Sequence, residues 1–245
     1  IKASHQVELY DEELNCEPFK VIGVKTIKPF KINKNINKAL KQISLLNQKS
    51  IEKNLFPLTL GGEHSITAGC IEPFVKSYKN VTILQFDAHA DLRNNYNNQK
   101  YSHASAMRRC LDFKNVDLIS IGIRNISKEE IPFLKKNDSR IKIFWAKDQK
   151  KWNLKYFKKL IKNKNVYLTF DVDGLDSSIM PATGTPEPGG LFWYESLSLI
   201  KTTFINANVI GADINELAPI KGFNSYNFLI AKLAYKILTY KFLLK

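Results

Sequence analysis

Two acidic segments, each placed where a run of apolar residues ends, constrain this chain more than any other feature. Asp-Ala-His-Ala-Asp at 87–91 follows the apolar run 81–86, and Asp-Val-Asp at 171–173 follows the apolar run 166–170. In an extended chain the first and third residues of each segment point to the same side. Carboxylates gathered at the end of an apolar strand are unfavourable unless they are exposed, paired or bound to a metal. The two segments therefore indicate two buried strands that end at one cation site.

Apolar stretches of strand length alternate along the chain with longer stretches of helical period. This order predicts a parallel α/β architecture, and no linker or repeat divides the chain, so we expect a single domain over 1–245. The predicted strands are 19–24, 56–60, 81–86, 116–123, 141–145, 166–170 and 209–212. The predicted helices are 32–53, 65–79, 104–112, 127–136, 147–162, 194–206 and 223–239.

Polar segments follow several of these strands. In an open parallel sheet, ligands bind at the carboxyl ends of the strands. This rule brings five segments to one edge of the sheet: 61–64, 87–91, the loop leading to His103, 171–176 and 213–216. We therefore expect their side chains to form one site.

The side chains expected there include a set of metal-ligand type. Its members are His64, Asp87, His89, Asp91, Asp171 and Asp173. Four carboxylates would balance two divalent cations, and the oxygen-rich set suits Mn²⁺ best, although two imidazoles leave Zn²⁺, Co²⁺ or Fe²⁺ open. A water held between two such ions would supply hydroxide near neutral pH. A polar loop after a strand would account for 87–91 alone, but not for the matching segments at other strand ends.

The net charge of +14 comes mostly from lysine, and the chain has five arginines. Because nucleic-acid readers also rely on arginine, we expect a solvated lysine-rich surface and no nucleic-acid partner. No apolar run reaches the length of a membrane helix, and the first residues lack a secretory pattern. The three cysteines, Cys16, Cys70 and Cys110, are widely spaced, which favours reduced thiols and a cytoplasmic location.

Four motifs resemble those of the ureohydrolase family, which includes arginase and agmatinase. They are Gly-Gly-Glu-His-Ser at 61–65, Asp-Ala-His-Ala-Asp at 87–91, Phe-Asp-Val-Asp-Gly-Leu-Asp at 170–176 and Gly-Thr-Pro-Glu-Pro-Gly-Gly-Leu at 184–191. The resemblance implies a three-layer α/β/α fold with an eight-stranded parallel sheet, two Mn²⁺ ions per chain, a trimer or hexamer, and hydrolysis of a guanidino group. Since residues 1–4 resemble the sequence that follows the family's first strand, we expect that strand to lie upstream of Ile1.

The resemblance also implies a role for each metal ligand. His64 and Asp91 would bind one ion, His89 and Asp173 would bind the other, and Asp87 and Asp171 would bridge the two. As a bridging ligand beside the reactive water, Asp87 is also a candidate catalytic residue.

Two further residues are candidates for catalysis. His103 suits the transfer of a proton to the leaving amine near neutral pH, and the alternative is a helix-start histidine with a local hydrogen bond. Glu216 follows a predicted strand and could accept a bidentate pair from a guanidinium group, and the alternative is an exposed glutamate before Pro219. Asp213, on the same strand, is expected to support the site from behind.

The substrate is a small guanidino cation in this interpretation. The loop 94–103 lacks the motif with which arginases hold an α-amino acid, and Pro-Glu-Pro-Gly-Gly at 186–190 resembles agmatinase. We therefore predict the hydrolysis of agmatine to putrescine and urea, although Ser177 and Ala182 depart from the usual agmatinase pattern. The alternatives are guanidinobutyrase, arginase, formimidoylglutamase, a single-zinc amide hydrolase related to deacetylases, and a metal-stabilised binding module without activity.

Overall fold

The computed structural model describes residues 1–244 and is built on one parallel sheet. Its strands are β1 (Leu58–Leu60), β2 (Val81–Phe86), β3 (Val116–Ile123), β4 (Ile141–Trp145), β5 (Asn165–Asp171) and β6 (Asn208–Asn215). The order across the sheet is β1-β6-β5-β2-β3-β4, and every neighbouring pair is parallel. The ends of β1, β6, β5 and β2 therefore lie side by side at one edge.

Residues 1–244 form seven α-helices, of which five lie between successive strands, one precedes β1 and one follows β6. They are α1 (Ile36–Glu52), α2 (Thr67–Ser77), α3 (Ala106–Cys110), α4 (Ile131–Lys136), α5 (Leu154–Ile161), α6 (Trp193–Asn206) and α7 (Ser225–Leu243). Two apolar cores result: side chains of α1, α2 and α3 pack into one, and side chains of α5, α6 and α7 pack into the other. Successive β2 residues alternate between the two, with Ile83 in the first and Leu84 in the second. The fold is thus the predicted three-layer α/β/α arrangement.

The predicted strand 19–24 is wrong, and the sheet that residues 1–244 form has six strands rather than seven or eight. Pro18–Lys20 forms a 3₁₀ turn, and the backbone that follows pairs with no strand. Val21 and Val24 are exposed by 70% and 64%. A strand needs a neighbour for its backbone hydrogen bonds and a buried face for its apolar side chains, and this segment has neither.

The predicted helix 147–162 is divided in two. Ala146–Lys151 is a 3₁₀ segment, and α5 starts only at Leu154. The Asn153 side chain accepts a hydrogen bond from the Tyr156 N–H at 3.0 Å, which caps a new helix. No helix within residues 1–244 is both long enough and apolar enough to cross a membrane.

Candidate active site

The segments that follow β1, β2, β5 and β6 meet at one edge of the sheet, as the sequence predicts. The residues 61–65 leave β1, and residues 87–91 leave β2. Asp171 ends β5, and Glu216 directly follows β6. Because these four strands are neighbours and parallel, their carboxyl ends deliver the predicted side chains to a common place.

His64 lies at the centre of the first cluster. Its Nδ1 is 3.1 Å from Asp87 Oδ2, 3.1 Å from Asp91 Oδ2 and 3.3 Å from Asp171 Oδ2. All four side chains are buried. Nevertheless, Nδ1 makes no hydrogen bond of acceptable geometry to a described residue. A buried nitrogen without a hydrogen bond, faced by three carboxylate oxygens, fits a metal ligand.

His89 forms the second cluster with Asp173 and Asp87. His89 Nδ1 lies 3.0 Å from Asp173 Oδ2 and 3.7 Å from Asp87 Oδ1. Asp87 therefore turns one oxygen toward each histidine, and it belongs to both groups of ligand atoms. Asp171 lies in the group of His64, and its Oδ1 accepts the Asp173 N–H at 2.9 Å.

The electrostatics of the two clusters fit a pair of cations. Burial, together with the charge of Asp87, raises the pKa of Asp91 to about 7. Burial and the neighbouring carboxylates also raise the pKa of Asp171 well above its usual range. At His89, burial opposes the charged ring, but the hydrogen bonds that Asp173 and Asp87 accept from the ring outweigh burial and raise the pKa to about 11. The carboxylates are thus short of positive charge, which two divalent ions would provide.

A chain of hydrogen bonds lies behind His64. Thr169 Oγ1 is 2.9 Å from His64 Nε2 and donates its own proton to Asp213 Oδ1 at 2.5 Å. Asp213 also accepts from the Tyr167 hydroxyl at 2.9 Å and from Asn215 Nδ2 at 2.6 Å. Because Thr169 donates to Asp213, it must accept from Nε2–H, which leaves the lone pair of Nδ1 toward the carboxylates. Sequence reasoning placed Asp213 here but missed Thr169, whose only signal is a hydroxyl within the apolar run of β5.

His103 lies at the exposed side of the site. Its Nδ1 is 2.8 Å from Glu63 Oε1, and its ring packs edge-to-face with Tyr96 at a centroid distance of 5.6 Å. The hydrogen bond from His103 lowers the pKa of Glu63 to about 2, and the same bond raises the pKa of His103. The partner is 40 positions away, so the alternative of a purely local hydrogen bond does not describe this histidine.

Glu216 is half-buried rather than exposed. Its Oε1 accepts the His64 N–H at 2.6 Å, and its own N–H donates to the Gly62 carbonyl at 2.7 Å. Burial raises the pKa of its carboxyl group. The backbone has φ of +64°, and that of Asp91 has φ of +54°. Left-handed backbone is unusual for residues other than glycine and concentrates at functional sites.

The asparagine-rich loop beside His103 contains a tight turn. Tyr96 and Gln99 exchange backbone hydrogen bonds of 3.0 and 2.8 Å, and Asn97 and Asn98 between them have positive φ. Asparagine tolerates this conformation better than most residues. The turn thus accounts for asparagine at positions 97 and 98, and it keeps the Tyr96 ring against His103.

The loop after β5 is tied down by two residues that sequence reasoning did not assign. Asp176 Oδ2 accepts the N–H groups of Gly189 and Gly190 at 2.7 and 2.9 Å. Arg124 Nη2 donates to the carbonyl oxygens of Asp173 and Glu187, each at 2.7 Å. Thr185 Oγ1, in the same loop, donates to Asp173 Oδ2 at 3.3 Å, so the loop contacts the second cluster.

Comparisons with known proteins agree on one family. The arginase family matches residues 1–239. Among curated proteins, an N(1)-aminopropylagmatine ureohydrolase of Synechocystis sp. is 36% identical over 98% of this chain and 80% of its own length. An agmatinase of Bacillus subtilis is 33% identical over 76% of this chain and 63% of its own length.

Solved structures give the same result. The agmatine ureohydrolase of Thermoplasma volcanium superposes with a TM-score of 0.86 at 28% identity, over 98% of this chain and 80% of that protein. The fold, the motifs and these relatives together show that the chain belongs to the arginase family of ureohydrolases.

Proposed function

We propose that this protein is a binuclear Mn²⁺ hydrolase that converts agmatine and water to putrescine and urea. The observation that carries the proposal is the position of Asp87, which turns one oxygen toward His64 and the other toward His89. A carboxylate shared between two ligand clusters is the arrangement expected of a two-metal hydrolase.

The ligands divide between two ions in this proposal. His64 and Asp91 would hold one ion, His89 and Asp173 would hold the other, and Asp87 and Asp171 would be shared by both. Two bound Mn²⁺ ions would lower the pKa of a shared water and so supply a nucleophile near neutral pH. Aspartate oxygens outnumber imidazole nitrogens in the set, which supports a hard or borderline ion such as Mn²⁺.

Glu216 and His103 act on the substrate in this proposal. The Glu216 carboxylate accepts N–H groups of the planar guanidinium, and His103 delivers a proton to the departing amine. Residues 62–64 connect the two: Glu216 bonds to the backbone of Gly62 and His64, and His103 bonds to Glu63. The acceptor and the proton donor are thus held by one short segment.

A second candidate substrate is N(1)-aminopropylagmatine. It is favoured by the relative of that name, which is 36% identical over 98% of this chain. Agmatine and aminopropylagmatine share a terminal guanidinium on a cationic chain without a carboxylate. The two candidates therefore differ only in the length and charge of the tail that points away from Glu216.

The test is product release by Mn²⁺-loaded and metal-free protein. The panel is agmatine, N(1)-aminopropylagmatine, arginine and 4-guanidinobutyrate, assayed for urea, with formimidoylglutamate assayed for formamide. We expect metal-dependent urea from one or both of the first two compounds. Urea from arginine or guanidinobutyrate alone would replace the substrate, and one zinc per chain with activity on acetyl-lysine would replace the class. Two bound metals without any turnover would support a binding module.

Location and assembly belong to the same proposal. Cys16, Cys70 and Cys110 are free thiols, which supports a cytoplasmic enzyme. We propose a homo-oligomer, either a trimer or a hexamer. Light scattering coupled to size-exclusion chromatography distinguishes these from a monomer.

A further inference from the structure

Glu63 contacts both the ring and the backbone of His103. Its Oε1 lies 2.8 Å from His103 Nδ1 and accepts the His103 backbone N–H at 3.3 Å. Because one oxygen meets the ring and the main chain of the same residue, the contact limits rotation of the imidazole about its side-chain bonds. The ring also packs edge-to-face with Tyr96, which restricts it further.

Glu63 is itself fixed in place. Ser65 Oγ donates to its other oxygen, Oε2, at 2.7 Å. Its chain neighbours Gly62 and His64 are held by Glu216 through bonds of 2.7 and 2.6 Å. The residues before and after Glu63 are therefore both held by hydrogen bonds, which fixes the carboxylate well enough to orient another side chain.

The contact determines which nitrogen of His103 is available. A carboxylate accepts hydrogen bonds but does not donate them, so Nδ1 must carry a proton toward Glu63. The same Glu63 oxygen already accepts the His103 backbone N–H at 3.3 Å, so Glu63 acts as an acceptor in both contacts. The other nitrogen, Nε2, is left to meet the substrate.

We propose that Glu63 is a positioning residue that holds His103 so that Nε2, and not Nδ1, gives the proton to the departing amine. This inference rests on the proposed function. As the C–N bond breaks, its electron pair goes to the amine nitrogen, which takes the proton from Nε2 of the imidazolium. Nδ1 keeps its proton, and water returns a proton to Nε2 for the next turnover.

Kinetics of the Mn²⁺-loaded protein give the first test. Glu63→Ala should lower kcat by about 10- to 100-fold, with KM and Mn²⁺ content close to those of the wild type. Glu63→Gln should recover part of the loss, because its amide oxygen can still accept from Nδ1–H. Glu72→Ala, which removes a glutamate paired with Lys76 on α2, is the matched control and should retain full kcat.

A double mutant separates action through His103 from action through the neighbouring His64. If Glu63 acts through His103, then Glu63→Ala should cause no further loss in a His103→Ala background. Two results would overturn the proposal: losses of kcat that multiply in the double mutant, or loss of Mn²⁺ from Glu63→Ala. Either result would show that Glu63 acts through the neighbouring His64 instead.

A second readout does not depend on turnover. The chain has four histidines, so nitrogen-15 NMR of histidine-labelled protein can be assigned with His103→Ala. With diamagnetic Zn²⁺ in place of Mn²⁺, at a pH where the His103 ring is neutral, the wild type should show the proton on Nδ1. Glu63→Ala should move population toward the Nε2–H form, and an unchanged spectrum would contradict the proposal. If wild-type protein released no urea from any substrate, the proposed function would fail while this spectrum still decided the role of Glu63.

Discussion

Thr169 Oγ1 lies 2.9 Å from His64 Nε2, and its hydroxyl donates a hydrogen bond to Asp213. The hydroxyl thereby keeps the lone pair of His64 Nδ1 on the side of the carboxylates. Thr169→Val removes this acceptor with little change of shape and should weaken Mn²⁺ binding by about 10- to 100-fold. Calorimetric titration of metal-free protein with Mn²⁺ measures the effect.

A matched control is another buried threonine. Thr203 donates to the Leu199 carbonyl within α6, at 2.8 Å. Thr203→Val should leave Mn²⁺ affinity unchanged. Equal affinity of the Thr169→Val variant and the wild type would show that the hydrogen bond does not orient His64.

Metal content should differ between substitutions of Asp87 and Asp173. Asp87 faces both histidines, whereas Asp173 faces only His89. Asp87→Asn should therefore reduce occupancy of both sites, and Asp173→Asn should leave one ion bound. Elemental analysis of dialysed protein gives the stoichiometry, with the surface variant Asp117→Asn as the control. Two ions retained in Asp87→Asn would refute the shared-ligand assignment.

Lys236 is buried on α7 and joins the N-terminal part of the chain to that helix. Its Nζ lies 2.8 Å from Asp11 Oδ2 and 2.7 Å from Glu13 Oε2. Lys236→Met leaves the fully buried Asp11 without its cation, and we expect a loss of about 3–5 kcal/mol in the free energy of unfolding. Urea denaturation measures this loss.

The companion variant adds Asp11→Asn to Lys236→Met. The amide oxygen can keep the bonds that Asp11 Oδ1 accepts from the N–H groups of Glu13 and Leu14, at 3.2 and 3.0 Å. Removing the unpaired charge should restore part of the lost stability. If the double variant were less stable than Lys236→Met, the buried charge would not be the cause.

Glu13 should make stability depend on pH in the acid range. Burial opposes its ionised form, but hydrogen bonds from Lys201, Lys236 and Tyr240 outweigh burial and lower its pKa from 4.5 to about 2. A lowered carboxyl pKa contributes stability above pH 4.5 that is lost as the pH falls toward 2. The stability difference between wild type and Glu13→Gln should therefore shrink over that range in chemical denaturation.

The control for this experiment is Glu129→Gln. The Glu129 side chain is 80% exposed and lies 3.5 Å from Arg93. Glu129→Gln should therefore leave the pH dependence of the free energy of unfolding in the acid range unchanged. A constant difference between wild type and Glu13→Gln from pH 4.5 to 2 would contradict the assignment.

Buried strands were the most predictable elements. The bounds predicted for β2, β3 and β4 agree with the structure. β2 and β3 are covered on both faces, and such strands appear in the sequence as largely apolar runs, whereas the edge strand β4 is only partly buried. The segment 19–24 has similar composition but no strand partner. Strand pairing joins residues that are distant in the chain, so the local sequence pattern does not reveal whether a segment has a partner strand.

The same division holds at the site. Motif residues such as Asp87 and His89 can be recognised in the sequence by their residue types and by their spacing after a strand. Thr169 lies in none of the motifs, and Glu63 lies in the 61–65 motif without an assigned role. Their roles come from contacts with residues 105 and 40 positions away. The resemblance to a known family supplied the roles proposed for the motif residues, but the hydrogen bonds that orient them were visible only in three dimensions.

The left-handed backbone at Glu216 is occupied by a side chain that serves both the fold and the proposed chemistry. Glycine would adopt φ of +64° without strain, but it would remove the oxygen that accepts the His64 N–H at 2.6 Å. The same change would remove the carboxylate proposed to hold the guanidinium. Leaving the His64 N–H without its acceptor offsets the relief of backbone strain, so laboratory evolution for heat resistance should retain glutamate at position 216.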